Sequence, residues 1–451
     1  MENRFNDLSA KEWLPFQKSF SIFKGKESLI RDNLRFFMKP SFSPNPIVTA
    51  KGSNRFEEMV KIQARYIRVT YCSENDFSSL DLVCLDITDQ LNKAINFESV
   101  NKVLDCSVKW IEKTSSLLNM RKFVWILAKN IFINGVLFPA AWELSNRLAK
   151  FLSRKDEKIV CLPDQSGTLI SLYFRKDTQI DDQPLTFCSP LQDTWAKIDH
   201  IPKIKDFPEW FILKPKPRKK KEIMHPAKYP EELVRLFLEK FTEPGECIFD
   251  PMSGTGTTQV EALALNRAAY GIELSSMFHQ IAVDRCMQIE TDVNWEIFNG
   301  DARKIKDFNF PKFDYVITSP PYWDMLNMKG AETQANRRNT GFNTNYSDNT
   351  DDLGNLSDYK HFKSVLFRIY ADTINYIKPG GYITIIVKNV KKKGNHYPLA
   401  FDLTELLLRL VPLAHVAHWC QDDLQIAPFG YNHTWVSNTF HHYCLTFKKP
   451  I

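Results

Sequence analysis

"ECIFDPMSGTGTTQVEALALN" (246–266) passes from a short apolar run through a glycine-rich turn into a helical pattern. The run ending at Phe249 has the length of a buried strand. Gly254 and Gly256 remove the Cβ atoms that would hold a ligand away from the backbone. The helix that follows turns unbonded N–H groups toward the same turn. Two common glycine loops do not fit. The dinucleotide fingerprint needs a third glycine where Gln259 stands, and no Gly-Lys-Ser/Thr ending follows to make a phosphate loop.

Strands and helices alternate on both sides of this stretch. "HPAKYPEELVRLFLEKF" is a helix with Pro230 near its first turn. Downstream come the strand "AAYGIEL", a helix capped by Ser275, and the strands "WEIFNGDA" and "FDYVITS". A helix over 358–377, the strand "YITIIVKN", the helix "LAFDLTELLLRLV" and two last strands complete the order. The pattern predicts an α/β fold with a doubly wound, Rossmann-like sheet, which binds ligands beyond its C-terminal strand ends. Acids stand at three successive strand ends: Asp250, Glu273 and Asp301. Glu273 can accept both hydroxyls of a ribose, and Asp301 can accept from an adenine amino group. With no cradle for a pyrophosphate, the set suits an adenosyl ligand carrying a cation and a carboxylate, S-adenosylmethionine.

A second motif, "TSPPYW" (318–323), follows the fourth strand. Together, "DPMSGTGTT" and "TSPPYW" resemble the S-adenosylmethionine-dependent DNA amino-methyltransferases, which modify N4 of cytosine or N6 of adenine. The resemblance covers about 225–449 and implies a methyltransferase sheet. It implies that Asp250, Pro251, Ser253, Gly254, Gly256, Thr257, Glu273 and Asp301 bind the donor. His225, Pro226 and Lys228, in the segment before the loop, would help to hold its methionine end. It also implies that Ser319, Pro320, Pro321 and Tyr322 form the catalytic loop. A base amino group is a poor nucleophile because its lone pair is delocalised into the ring. Acceptors from Ser319 and the Pro320 carbonyl can take its hydrogens, while the prolines fix φ and hold those acceptors in place. Tyr322 can stack on a base flipped out of the duplex, and Trp323 can line that pocket, wedge or pack. Serine in the first position favours cytosine N4; adenine N6 is the alternative, with RNA or protein amino-methylation behind it. The chain has no Pro-Cys dipeptide, which disfavours the thiolate chemistry of C5-cytosine methylation. An inactive nucleic-acid-binding relative is the non-enzyme alternative.

The first half carries no chemical motif and no internal repeat. It is expected to be a mixed α/β accessory domain (1–195), followed by a basic, proline-rich linker (196–224) and the catalytic domain (225–451) with an insertion over 324–357. Target recognition is expected from the first half, and closure over the base from the insertion. Net charge is only +6, but "KPKPRKKK" concentrates Lys214, Lys216, Arg218, Lys219, Lys220 and Lys221. These residues, with Arg337 and Arg338 of the insertion, are candidate contacts to double-stranded DNA. Nine cysteines without a C-x-x-C pair and no signal-type N-terminus point to a reducing cytoplasm. "HVAH" and "HH" lack carboxylate or thiolate company, so no metal is expected. The apolar stretch 123–142 is interrupted by Lys129, Asn130 and Asn134, which makes a buried helix the expectation rather than a membrane span. A cognate restriction endonuclease or other defence partner is compatible with the family.

Neutralising Lys214 to Lys221 should weaken DNA binding for all sequences alike and flatten its dependence on salt. Binding isotherms between about 50 and 200 mM salt, the range over which such contacts lose most of their strength, measure this.

Overall fold

Successive residues of a strand point to opposite faces, and here most of the central strands are buried on both. The computed structural model describes residues 8–38, 45–73, 79–180, 204–214, 230–323, 352–392, 395–422 and 439–451. The first half contains β1 (Phe20–Ile22), β2 (Ile47–Lys51), β3 (Thr70–Tyr71), β4 (Leu80–Asp86) and β5 (Leu118–Ala128). They are followed by β6 (Ile131–Ile133), β7 (Val136–Phe138), β8 (Ser153–Cys161) and β9 (Thr168–Arg175). Seven of these form one sheet in the order β3-β2-β4-β5-β9-β8-β1, while β6 and β7 pair as a hairpin.

The second half contains β10 (Trp210–Ile212), β11 (Cys247–Asp250), β12 (Ala268–Glu273), β13 (Trp295–Asn299) and β14 (Phe313–Thr318). β15 (Ile377–Val387), β16 (Val390–Lys392), β17 (Asn395–Tyr397), β18 (Leu413–Cys420) and β19 (His441–Lys448) complete it. Its sheet runs β13-β12-β11-β14-β15-β19-β18-β10, and β16–β17 form a hairpin. β19 is antiparallel to both of its neighbours, and the other pairs are parallel. This is the doubly wound sheet expected from the alternation of elements, and each strand predicted from 246 onward is present.

Local chemistry sets the helix starts. Ser275 accepts from the Phe278 N–H, Asp358 from the His361 N–H, and Asn96 makes a reciprocal capping box with Ser99. The helix Glu231–Phe241 begins directly after Pro230.

Two expectations are corrected. Residues 123–142 do not form a buried helix: they give β5, the hairpin β6–β7 and the start of the helix Ala140–Leu148. The turn between β6 and β7 is Asn134-Gly135 with φ values of 51° and 82°. That is the left-handed pair of a type I′ hairpin turn, and it outweighs the apolar run around it. The segment taken as a linker, 196–224, also contributes β10, which pairs with β18. The catalytic sheet therefore begins before residue 225.

The two halves share one apolar core. It includes Val83, Val124, Ile126 and Ile159 from the first sheet and Val316, Ile385, Val416 and Leu445 from the second. The outer faces of the sheets are covered separately, the second by helices Glu231–Phe241, Thr257–Ala264 and Ser276–Cys286. Across the seam, β8 brings five consecutive charged residues, Arg154 to Lys158, each no more than 7% exposed. Asp156 pairs with Lys391 of β16, and the Tyr443 hydroxyl of β19 donates to Glu157 at 2.5 Å. Trp142 donates to the same Glu157 carboxylate at 3.1 Å.

Removing one partner of a buried pair leaves the other charge uncompensated. Asp156→Ala should therefore cost roughly 3–5 kcal/mol, and Asp156→Leu with Lys391→Met should recover most of it. Denaturant unfolding of the full chain gives both values.

Candidate functional site

The loop between β11 and the helix Thr257–Ala264 is closed on itself. Asp250, fully buried, accepts from the Met252 N–H at 3.0 Å with one oxygen and from the Thr258 hydroxyl at 2.8 Å with the other. The first and last residues of "DPMSGTGTT" are thus clasped together. Ser253 donates to the Asp250 carbonyl at 3.0 Å and accepts from Gln259 at 2.9 Å. Gln259, which excluded the dinucleotide fingerprint, is itself part of the loop's scaffold. Asp250 and Ser253 shape the loop, and Pro251 and Thr257 lie within it.

The two glycines differ in their reasons. Both have left-handed φ, 54° for Gly254 and 76° for Gly256. A Cβ on Gly256 would lie 2.8 Å from the Cβ of Ala282, so this glycine lets the helix Ser276–Cys286 approach. Close packing of helix on loop, rather than close approach of a ligand, requires it. Gly254 is half-buried, and its N–H donates to Glu273 at 2.7 Å.

Glu273 closes the crevice from the end of β12. Its other oxygen accepts from the Ser275 N–H at 2.8 Å. Burial raises its carboxyl to about 7, against the pull of these two backbone bonds, and the charges of Asp250 and Asp352 add to the rise. Asp352, buried beside the short helix Leu353–Asn355, was not singled out from the sequence because it ends a long polar insertion. Three carboxylates, Asp250, Glu273 and Asp352, lie near enough for their charges to interact, which favours a cation nearby over a pyrophosphate. Asp301 lies at the end of β13, where its carboxylate pairs with Arg303 at 2.6 Å. Burial would raise its pKa, but hydrogen bonds from Arg303 hold it below the usual carboxylate range.

At the end of β14, Ser319 donates to the Ile386 carbonyl at 3.1 Å and lies 3.2 Å from the Tyr322 hydroxyl. A serine has one hydroxyl proton. Spending it on Ile386 leaves the oxygen an acceptor toward anything else that approaches. Tyr322 is 7% exposed, with its ring facing His442. Of the readings left open for Trp323, packing is the one the structure shows: it is 4% exposed, packed between Tyr359 and Tyr397 with Lys392 over its ring. Lys388, visible in the sequence only as the first of a basic run, sits just past the end of β15, two residues beyond Ile386. Burial lowers its pKa to about 8.

The structure thus brings together Asp250, Ser253, Gly254, Glu273 and Asp301 along the sheet edge, with Ser319 to Tyr322 on the neighbouring strand. Lys214 is exposed, 3.5 Å from Asp422. His225, Pro226, Lys228, Lys216, Arg218, Lys219, Lys220, Lys221, Arg337 and Arg338 lie outside the described residues. Among the described residues, no helix is long and apolar enough to cross a membrane.

Residues 70–284 match the family described as DNA methylase. The chain is 33% identical over 73 residues to the type II methyltransferase M.BglII of Bacillus subtilis, which is 16% of this chain and 20% of that protein. It is 25% identical over 189 residues to the type II methyltransferase M2.DpnII of Streptococcus pneumoniae, covering 41% of this chain and 68% of that one. The structure of TrmN from Thermus thermophilus superposes with a TM-score of 0.33 at 10% identity, over 94% of this chain and 78% of that chain. The matched stretch spans about a fifth of M.BglII. Over just under half of its length the chain is thus similar to DNA methylases, a likeness that implies S-adenosylmethionine as the methyl donor.

An ionised carboxylate accepts from ribose hydroxyls better than a protonated one, and Glu273 is the carboxylate expected to accept them. Donor affinity should therefore fall as the pH drops below about 7, at most about tenfold per pH unit. Glu273→Gln should bind weakly at every pH and lack this slope. Titration calorimetry between about pH 6 and 8.5 spans the transition.

Proposed function

We propose that the chain methylates an exocyclic amino group of a base in double-stranded DNA, cytosine N4 in preference to adenine N6. The observation that carries this reading is the Ser319 hydroxyl. Its proton is committed to Ile386, so its oxygen is an acceptor at the strand end beside the donor crevice. The bound donor would supply an electrophilic methyl group on a sulfonium. Gly254, Glu273 and Asp301 would hold the adenosine end, with Asp250 and Ser253 keeping the loop in shape. The anionic crevice would hold the cation.

Ser319 and the Pro320 carbonyl would each accept one amino hydrogen. That draws the nitrogen lone pair out of conjugation and aims it at the methyl group. No covalent intermediate on the chain is needed, so positioning and acceptor geometry supply the rate. The target base would leave the duplex to reach this depth. Serine in place of aspartate at 319 favours the N4 group of cytosine. The first half would supply most target recognition, the basic segment 214–221 would add affinity independent of sequence, and the insertion 324–357 would close over the base. A place in a restriction–modification system accords with relatives named as type II methyltransferases.

Ser319→Ala should lower methyl transfer by roughly 10²–10³-fold while changing donor affinity less than about twofold. Methylation mapping of DNA from cells expressing the chain reports base and target site together. Modified N6 of adenine would overturn the cytosine assignment, and DNA left unmodified by the active protein would overturn the substrate class.

A further inference from the structure

The two sheets have the same plan. Read from one edge, β3-β2-β4-β5-β9-β8-β1 corresponds to β12-β11-β14-β15-β19-β18-β10, and the last strand of each half in sequence, β9 or β19, is antiparallel to both of its neighbours. Registers agree as well. Val48 and Thr49 face Leu82 and Val83, as Ile248 and Phe249 face Tyr315 and Val316. Side-chain details recur at matched places. Asp81 accepts from the Ile47 N–H and pairs with Lys122, while Asp314 accepts from the Cys247 N–H and pairs with Lys378.

The sequences that follow β5 and β15 carry the same signal. "AKNIFINGVLFPAAWEL" (128–144) aligns with "VKNVKKKGNHYPLAFDL" (387–403), so that Lys-Asn, Gly, Pro, Ala and Leu coincide. In both, the asparagine side chain accepts from a backbone N–H eleven residues on, Asn130 from Ala141 and Asn389 from Ala400. The family match over 70–284 begins in the first half.

The halves also meet reciprocally. β7 packs on β18, and β17 packs on β8. Ser19, just before β1, accepts from the Phe440 N–H, and Glu209, just before β10, accepts from the Thr168 N–H. Cys161 and Cys420, both buried, stand at matched ends of β8 and β18.

Among the described residues, only the second half has the glycine loop and strand-end acids read above as a donor site. The six-residue loop Pro251–Gly256 is reduced to Gly52-Ser53 between β2 and the helix Asn54–Tyr66. A Cβ on Gly52 would already lie 2.8 Å from the ring of Phe56, which is fully buried. β3 ends four residues short of the position matching Glu273. Only residues 72–79 separate it from β4, too few for the helix and strand that lead to Asp301. Where Ser319 stands in the second half, the first has Asp86. Its carboxylate is 1% exposed and held by Lys26 at 2.7 Å and by the Thr88 hydroxyl at 2.6 Å. "DITD" replaces "SPPY".

We propose that residues 8–180 are a second copy of the methyltransferase domain that has lost its donor site and serves as the built-in partner of the catalytic copy. Each chain then binds one donor and has one active centre. This rests on the methyltransferase reading above. The test is equilibrium dialysis of the full chain with labelled S-adenosylmethionine, with methyl transfer to DNA measured on the same protein. One donor per chain is expected for the wild type, and none for Glu273→Ala at concentrations that saturate the wild type. Two donors per chain, or a site surviving in Glu273→Ala, would overturn the proposal while leaving the enzyme reading intact. No binding by folded wild type would sink both. Lys26→Met and Asp86→Asn should keep the wild-type transfer rate within about twofold, since no base enters the first copy. A loss above about tenfold in both variants, with unchanged melting temperature, would also overturn it.

Discussion

The burial of β8 constrains the rest of the molecule. A strand with five consecutive charged residues belongs on a surface, yet this one is covered along its length. Such burial is tolerated only where each charge finds a partner, because an isolated ion in a medium of low dielectric costs several kcal/mol even after relaxation. Arg154, Lys155 and Lys158 find partners in the first half, at Ser145, Asp177 and the Phe16 carbonyl, whereas Asp156 and Glu157 reach across to Lys391 and Tyr443 of the other half. Tyr443 in turn accepts from Asn389 at 3.1 Å, and Asn389 fixes the start of the helix Leu399–Leu407 through Ala400. The first half is thereby wired to the strand end beside Ser319. The hydrophobic core is continuous across the same seam, so apolar burial and charge pairing demand the same arrangement.

Much of the second half was legible because its local signals agree with its tertiary structure. Glycine turn, apolar strand and capped helix recur in an order that only one sheet type accommodates. The glycine loop was legible for the same reason, although its residues divide their work differently from what a motif suggests. Asp250 and Gly256 are held by the loop's own clasp and by the packing of Ala282, and Glu273 bonds the loop from the end of the next strand. The aromatic after Tyr322 could be read either way. Trp323 is buried because Tyr359 and Tyr397, distant in sequence, happen to converge on it.

The first half was less legible for identifiable reasons. It carries no glycine loop or strand-end acids of the kind that mark the second half. Residues 123–142 are apolar enough for a helix, and the decisive Asn134-Gly135 turn occupies only two positions. β8 carries the composition of an exposed segment and is buried only because a partner covers it. Asp352 stands at the end of a long polar insertion, where no periodicity points to the crevice. In each case the missing information lies in contacts between residues far apart in the chain.

The shared core has a consequence for how the molecule behaves on dilution. Two subunits held by mass action separate when their concentration falls below the dissociation constant, and their activity per molecule falls with it. Two domains on one chain with a common interior have no such threshold. A cell holding only a few copies would keep every one of them assembled, and the protein's output would scale with its copy number in strict proportion.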